Sequence, residues 1–272
     1  MAPFRILDPT LRDHLPPASC ALAVMTKAPQ AGRVKTRLVP PLTPDEAAEL
    51  NKCFLRDTAA AISRASGALP VNQAGKTESK PECFDSHGQA AIMQCCGVAV
   101  YTPVGADSEY TGILPADFSL MPQRGDQFGE RLYFAVEDLF TCGFESVCLI
   151  DSDSPTVPAE DFAEAVELVS TSEDRVVLGP SDDGGYYLIG VKKPHGELFE
   201  QIDWSTERVL NQTIERAAEI GLEIKLLPTG YDVDDGASLH RLCNELLLDT
   251  RQNDVAPYTR KFLANLSTRK KL

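Results

Sequence analysis

Charged side chains follow several apolar runs of this 272-residue sequence, at the points where strands would end. Directly after the apolar run 21–26, the segment KAPQAGRVKTRL carries four cations, Lys27, Arg33, Lys35 and Arg37. Lysine and arginine neutralise phosphate charge, and a glycine such as Gly32 lets the backbone approach a phosphate closely. The segment therefore predicts a cradle for a small phosphate-bearing ligand. Charged loops are also common simply as solvated surface, and spacing alone leaves that alternative open.

Two pairs of aspartates follow other apolar runs. Asp151 and Asp153 come after the run 146–150, and Asp232 and Asp234 come shortly after a run that ends at Leu227. Carboxylates two residues apart can hold Mg²⁺ or Mn²⁺ together with substrate phosphates. Each pair alone is equally typical of a turn or a helix cap. Together with the basic loop, two acidic pairs at one sheet edge would form the complementary halves of a metal–diphosphate site.

Composition narrows the class of protein. The formal net charge is -14, whereas a general nucleic-acid binder needs a basic face, so we expect no nucleic-acid partner. The sequence has neither a long uninterrupted apolar stretch nor the apolar core of a secretory signal, so we expect a cytoplasmic protein without a membrane span. The eight cysteines form no C-x-x-C pair, which favours reduced thiols over a disulfide framework or a zinc site.

Apolar runs of strand length alternate with segments of helical period, which predicts an α/β fold with a mostly parallel sheet covered by helices. The predicted strands are 21–26, 97–102, 146–150, 175–179, 186–191 and 223–227. The predicted helices begin after Thr43 and then cover 129–142, 159–170, 205–220 and 237–248. Thr43 and Glu46 form a capping box, Ser205 or Thr206 would cap the fourth helix, and Gly143 is a helix stop.

One domain is predicted over residues 19–250. Residues 1–18 are interpreted as an N-terminal appendage and residues 251–272 as a C-terminal tail. Residues 68–96 are weakly patterned and rich in Gly, Ser, Lys and Gln. They stand where a short connection between a helix and a strand is expected, so we interpret them as an insertion.

Several longer strings, in this order along the chain, resemble one protein family. They are VMTKAPQAGRVKTRLVPPLTPDEA, QRGDQFGERL, LIDSDSP, LGPSDDGGYYLIGV, WSTERVL and YDVDDGASL. From about Ala21 to Leu242 the chain resembles the DUF2064 family of small bacterial glycosyltransferase-like proteins, which are related to the CofC and MobA nucleotidyltransferases. The resemblance implies a GT-A-like nucleotide-diphospho-sugar transferase fold, with a single mostly parallel twisted sheet flanked by helices.

The resemblance also implies roles for the charged clusters. The implied nucleotide-binding residues are Lys27, Gly32, Arg33, Lys35, Arg37 and Gln123. Asp153 resembles the metal-binding aspartate of the central strand and Asp232 a second metal position, with Asp151 and Asp234 as further candidates. Asp151 stands where such proteins usually carry a small residue. The implied cofactor is Mg²⁺ or Mn²⁺.

A glycine-rich string, SDDGGYYLIG, resembles the acceptor or sugar side of such a site. The residues implied there are Asp182, Asp183, Gly184 and Gly185, with Trp204 and Ser205 at the border. A carboxylate at this place could hydrogen-bond substrate hydroxyls or act as a base, so the catalytic candidates are Asp153, Asp183 and Lys35. The same string would also make a plain hairpin turn, and Trp204 could serve only to staple a helix start.

The implied reaction is the metal-assisted transfer of a glycosyl group from a nucleotide sugar to a small-molecule acceptor. One alternative, which the basic loop also favours, uses a nucleoside triphosphate and joins a nucleoside monophosphate to a phosphorylated small molecule with release of pyrophosphate. A second alternative is a nucleotide-binding protein without catalytic activity. The oligomeric state is left open, a homodimer included.

Overall fold

The computed structural model describes residues 4–11, 19–67, 83–84, 90–91, 94–248 and 254–270. The strands are β1 (Arg5–Ile6), β2 (Ser19–Lys27), β3 (Cys83–Phe84), β4 (Ala90–Ala91), β5 (Gln94–Thr102), β6 (Ser119–Pro122), β7 (Ser146–Ile150), β8 (Arg175–Pro180), β9 (Tyr186–Val191) and β10 (Glu223–Leu226). The α-helices are α1 (Pro44–Gly67), α2 (Phe128–Cys142), α3 (Ala159–Val169), α4 (Val209–Glu219), α5 (Gly236–Leu248) and α6 (Pro257–Lys270).

Eight strands form one sheet in the order β1-β6-β5-β2-β7-β9-β8-β10. All neighbouring pairs are parallel except those of β9, which runs antiparallel to both β7 and β8. The strands β3 and β4 form a separate antiparallel pair. The predicted mostly parallel sheet is therefore confirmed, and β9 is its antiparallel member because a tight turn joins β8 to β9.

The central strands are buried on both faces, which is why they read as continuous apolar runs. Along β2, Leu22 and Val24 belong to the cluster that α1 and α3 cover, while Ala21 and Ala23 belong to the cluster that α2 covers. This alternation follows from the two-residue period of a strand. A third cluster joins α1 to α5 and α6 beside the sheet.

Helix starts and stops follow local chemistry. The Thr43 backbone N–H donates to Glu46 Oε2 at 2.8 Å and the Glu46 N–H donates to Thr43 Oγ1 at 3.2 Å, so the predicted capping box is present. Gly143, with φ 110°, ends α2 as predicted. The fourth helix differs from the prediction, because α4 begins at Val209 rather than near Ser205. Ser205 has φ 65°, a left-handed conformation that interrupts a right-handed helix.

The predicted boundaries also differ from the structure at three places. Residues 5–6, assigned to the N-terminal appendage, form the edge strand β1. The region interpreted as a tail contains α6, which packs on α1 and buries Leu263 and Leu266. Residues 94–96 of the predicted insertion belong to β5, and much of the remainder lies outside the described residues. Among the helices that the structure describes, none is long and apolar enough to cross a membrane.

Candidate functional site

Three segments meet around the side chain of Lys35. Its Nζ lies 2.8 Å from Asp153 Oδ1 and 2.8 Å from Asp234 Oδ1, and it donates a hydrogen bond of 2.9 Å to the Val233 carbonyl oxygen. The Val233 N–H in turn donates to the Asp153 carbonyl oxygen at 2.9 Å. The loop after β2, the loop after β7 and the loop before α5 therefore converge, as expected for segments that leave one edge of a parallel sheet.

Lys35 differs in its surroundings from the other cations of the basic loop. Its side chain is 4% exposed, and its three ammonium protons are matched by three oxygen partners. Burial lowers the pKa of Lys35, but the Asp153 and Asp234 carboxylates outweigh it and hold the pKa above the ordinary value. In this arrangement the Lys35 ammonium is the counter-ion of the acidic loops, whereas Lys27, Arg33 and Arg37 are exposed.

The basic loop lines a cavity of about 230 Å³. Its lining residues include Lys27, Arg33, Arg37, Asn51, Ser152 and Asp153. Three exposed cations around one cavity can neutralise the charge of a diphosphate, and arginine can do so with two parallel hydrogen bonds. The predicted nucleotide-binding residues Lys27, Arg33 and Arg37 are thus brought together.

Asn51 is a residue of this cavity that the sequence analysis did not single out. It lies on α1, it is 5% exposed, and its side-chain oxygen has no hydrogen-bond partner within the described part of the chain. A buried polar atom without a partner costs free energy, and a ligand with hydrogen-bonding groups in the cavity would relieve that cost. A polar residue next to the apolar stripe of α1 was the only signal in the sequence.

A second cavity, of about 420 Å³, adjoins the first, and Arg37 and Asp234 line both. Its walls combine apolar and aromatic side chains with carboxylates and hydroxyls. The apolar part is formed by Met25, Phe128, Leu132, Leu149, Ile189 and Val209, and the polar part includes Asp151, Asp183, Ser205, Thr206 and Glu207. Trp204 and Gly185 also line this cavity, as the sequence predicted for an acceptor site.

The glycine turn between β8 and β9 places its two aspartates differently. Asp183 lines the second cavity and accepts a hydrogen bond of 2.8 Å from the Gly185 N–H. The Asp182 carboxylate instead forms an ion pair with Arg241 of α5. Gly184 has φ 91°, and a Cβ at this position would lie 2.2 Å from the Glu207 carbonyl oxygen. This segment is therefore a hairpin turn that also forms part of the cavity wall. Of its two aspartates, only Asp183 lines the cavity.

Two other predicted residues have structural roles. The Gln123 side-chain amide donates to the carbonyl oxygens of Val100 at 2.8 Å and Thr26 at 3.3 Å, so it links the ends of β2 and β5. Gly32 has φ 73°, and a Cβ added to it would meet nothing within 4 Å, so the turn needs glycine for its backbone angle rather than for space.

The loops that carry Asp151, Asp153, Asp232 and Asp234 hold more carboxyl groups than Lys35 alone can neutralise. Burial, with the neighbouring Asp153 carboxylate, raises the pKa of Asp151 to about 8. Burial, with the Asp183 and Asp234 carboxylates, raises the pKa of Asp232 to about 6. Carboxylate oxygens in excess suit Mg²⁺ or Mn²⁺ chemically. As they stand, however, no three His, Cys, Asp or Glu side chains of the described residues are grouped so that they could hold a metal ion.

Residues 88–206 match the model of a protein family described as "Uncharacterized protein conserved in bacteria (DUF2064)". The predicted resemblance to DUF2064 is confirmed. The matched DUF2064 segment contains Asp151, Asp153, the glycine turn and Trp204, whereas the basic loop lies before it. No curated protein matches the chain.

Among solved structures, a "putative nucleotide-diphospho-sugar transferase" from Desulfovibrio desulfuricans G20 is 25% identical, with a TM-score of 0.73 over 92% of this chain and 96% of that chain. This likeness confirms the predicted fold and supports a transferase. A 4-diphosphocytidyl-2C-methyl-D-erythritol synthase from Anaerococcus prevotii DSM 20548 is 11% identical, with a TM-score of 0.47 over 85% of this chain and 96% of that chain. A manganese complex of a Mycobacterium tuberculosis H37Rv protein is 13% identical, with a TM-score of 0.43 over 83% and 97%. The last two likenesses are remote.

Proposed function

We propose that the protein is a glycosyltransferase that moves a sugar from a nucleotide-diphospho-sugar to a hydroxyl group of a small acceptor. The two adjoining cavities would supply the two compartments that such a reaction needs. The donor diphosphate lies against Lys27, Arg33 and Arg37 in the first cavity. The sugar lies at the junction beside Arg37 and Asp234, and the acceptor occupies the second cavity.

One observation favours glycosyl transfer over nucleotidyl transfer. Arg37 is the single cation among the described residues that line the second cavity, against the carboxyl groups of Asp183, Glu207 and Asp234. A nucleotidyltransferase must bring the phosphate of its acceptor into this compartment, where like charges repel it. A hydroxyl acceptor meets no such repulsion. The charge of the second cavity therefore supports an acceptor without a phosphate.

The proposed chemistry uses the residues around the junction. The Asp183 carboxylate takes the proton of the acceptor hydroxyl. The acceptor oxygen forms a bond to the anomeric carbon of the sugar, and the bond from that carbon to the diphosphate oxygen breaks. Arg33 and Arg37 stabilise the negative charge that develops on the departing diphosphate. The nucleoside diphosphate then leaves.

The predicted cofactor stays a part of this proposal. Asp153 and Asp232 are the residues that would hold Mg²⁺ or Mn²⁺, with Asp151 and Asp234 beside them, and the ion would supply further neutralisation of the diphosphate. The excess of carboxylates and the raised pKa of Asp232 support a site for a cation. Lys35 would compete with such an ion for Asp153.

Donor hydrolysis tests the proposal without knowledge of the acceptor. Purified protein is incubated with UDP-glucose or GDP-mannose, each with and without Mn²⁺, and released nucleoside diphosphate is measured by chromatography. We expect slow release with at least one nucleotide sugar, and we expect donor binding to raise the melting temperature. Pyrophosphate release from a nucleoside triphosphate plus a sugar phosphate would establish nucleotidyl transfer instead. A melting shift with a nucleotide but no released product would favour the non-catalytic alternative, and no melting shift with any nucleotide would contradict all three functions.

Matched variants of the glycine turn locate the base. Asp183→Asn should lower the release of nucleoside diphosphate by about 10²-fold or more, since general base catalysis contributes on that order. The melting shift that the donor causes should persist in Asp183→Asn, because Asp183 does not line the first cavity, where the donor diphosphate is proposed to bind. Asp182→Asn is the control, since its carboxylate faces Arg241. Equal turnover in the two variants would contradict the role of Asp183.

A further inference from the structure

The second cavity has a wall of mixed character, in which apolar and aromatic side chains stand beside carboxylates and hydroxyls. Its apolar members come from four different elements: Met25 of β2, Leu132 of α2, Leu149 of β7 and Ile189 of β9. These four side chains cannot form hydrogen bonds with a hydroxyl group, so an acceptor that fills the space beside them needs an apolar part. At about 420 Å³ the cavity has room for more than a sugar hydroxyl and its immediate neighbours.

Two aromatic rings form one side of the cavity. Phe128 and Trp204 have ring centroids 5.3 Å apart at an interplanar angle of 74°, an edge-to-face arrangement that fixes both rings. Trp204 is seated on Gly129, where a Cβ would lie 2.4 Å from the indole Nε1. The packing against Phe128 and Gly129 therefore holds the Trp204 side chain in one position.

Phe128 remains 47% exposed in spite of this contact. It is the first residue of α2, where a polar residue would serve the helix as well or better. Exposed aromatic surface beside a cavity is a feature of ligand sites, because a bound ring can remove that surface from water. The fold itself gains little from a large apolar side chain at this place.

The polar groups of the cavity are mostly acidic. Asp183 and Glu207 line the cavity together with Trp204, and Ser205 and Thr206 add hydroxyls. They can accept the proton of an alcohol or phenol, but they repel an anion. A ring held by Phe128 and Trp204 would place its hydroxyl next to these acceptors.

From this combination we infer that the acceptor is an uncharged alcohol or phenol with a flat apolar ring, held against Phe128 and Trp204 with its hydroxyl toward Asp183. The inference deepens the proposed function, on which it rests for the assignment of the second cavity to the acceptor. A nucleobase is also flat, but a nucleotide carries phosphates, which the Asp183 and Asp234 carboxylates of this cavity would repel.

Trp204 provides the readout, because it is the single tryptophan of the sequence. Its fluorescence, excited at 295 nm, is titrated with phenethyl alcohol, with the phosphate ester of phenethyl alcohol and with glycerol. We expect a saturable change with phenethyl alcohol, at least tenfold weaker binding of the phosphate ester, and no saturable change with glycerol. Equal or tighter binding of the phosphate ester would overturn the inference, as would a saturable change with uridine but not with phenethyl alcohol.

A pair of variants tests the ring contact. Phe128→Ala should weaken phenethyl alcohol binding about threefold to tenfold, the worth of one aromatic contact. Leu226→Ala is the control, because Leu226 is a similarly exposed large apolar residue, 54% exposed, on β10 at the edge of the sheet. Circular dichroism establishes that both variants fold. Unchanged binding in Phe128→Ala would overturn the inference.

The outcome is separable from that of the proposed function. Nucleotide-sugar binding is measured by the melting shift on the same preparations. A melting shift without any effect of phenethyl alcohol would refute the acceptor class and leave the transferase proposal standing. Binding of phenethyl alcohol without any nucleotide effect would refute the transferase and leave a ring-binding cavity.

Discussion

Replacement of Lys35 by methionine tests the central electrostatic feature of the site. Methionine keeps much of the length of the apolar stem, which passes Phe54, but removes the ammonium group and its three oxygen contacts. The backbone is left-handed at this residue, with φ 47°, in either case. The substitution therefore isolates the charge.

The expected loss of stability follows from burial. Removal of one partner from a fully buried ion pair costs about 3–5 kcal/mol, because the other charge stays buried and unpaired. Here the Asp153 and Asp234 side chains are 33% and 43% exposed, so water can reach them after the substitution. The desolvation cost of the lysine itself also disappears. We therefore expect Lys35→Met to lower the free energy of unfolding by about 1–3 kcal/mol.

Urea unfolding at pH 7 measures the effect, with Lys27→Met as the matched control. Lys27 is an exposed lysine of the same cavity, and its replacement should change the free energy of unfolding by less than about 0.5 kcal/mol. The difference between the two variants should largely persist at high salt, because a buried pair is screened weakly. Since the folded-state pKa of Lys35 is raised above 10.5, its contribution is complete at neutral pH and is lost only as the pH rises beyond that value. Equal stabilities of the two variants would refute the counter-ion role.

The remaining predictions concern stability. Asp57 of α1 accepts hydrogen bonds from the Tyr258 and Thr259 N–H groups at 3.0 and 2.8 Å. Asp57→Ala should therefore lower the free energy of unfolding by about 1–2 kcal/mol and speed hydrogen exchange at the start of α6. Unchanged exchange there would contradict the capping role. Because burial raises the pKa of Asp57, the folded protein binds its proton more tightly than the unfolded chain. The stability of the wild type relative to Asp57→Asn should therefore fall as the pH rises from about 4, and a rise would show that the sign is wrong. Gly184→Ala should lower the free energy of unfolding by about 2–4 kcal/mol, because the added Cβ meets the Glu207 backbone. Gly32→Ala should lower it by only about 1 kcal/mol, because the added Cβ at that position meets open space. Equal losses in the two variants would contradict the close contact at Gly184.

The sequence was sufficient for features that depend on local pattern. The alternation of apolar runs with helical periods predicted the sheet, because parallel strands buried on both faces have no polar positions. The same pattern predicted that the loops at Lys35, Asp153 and Asp234 would meet, since β2 and β7 are neighbours with their carboxyl ends at one edge. The start of α1 was predictable for the same reason, because its capping box needs only Thr43 and Glu46, three residues apart.

The features that depend on distant contacts were not predictable from pattern. Asp57 and Asn51 both lie on buried positions of α1, which indicates that each has a partner but does not identify it. Asp57 caps α6, about 200 residues later in the chain, and Asn51 lines the first cavity. The late start of α4 depends on the left-handed backbone of Ser205 and on a hydrogen bond from the Leu210 N–H to the Gly184 carbonyl oxygen. Neither leaves a signal in the local sequence.

The pairing of Lys35 with the acidic loops changes how the basic loop can work. Four cations in one segment suggest that all four face the same phosphates, but one of them is turned inward to Asp153 and Asp234. Without that ammonium group, unneutralised carboxylates would border the first cavity. Each carboxylate would repel a diphosphate oxygen by about 1 kcal/mol at 4 Å in water, and by more where water is excluded. The inward lysine removes part of this repulsion before any ligand binds. If the loop binds phosphate as proposed, it would do so in two ways, through Arg33 and Arg37 directly and through Lys35 by neutralising the acidic neighbours.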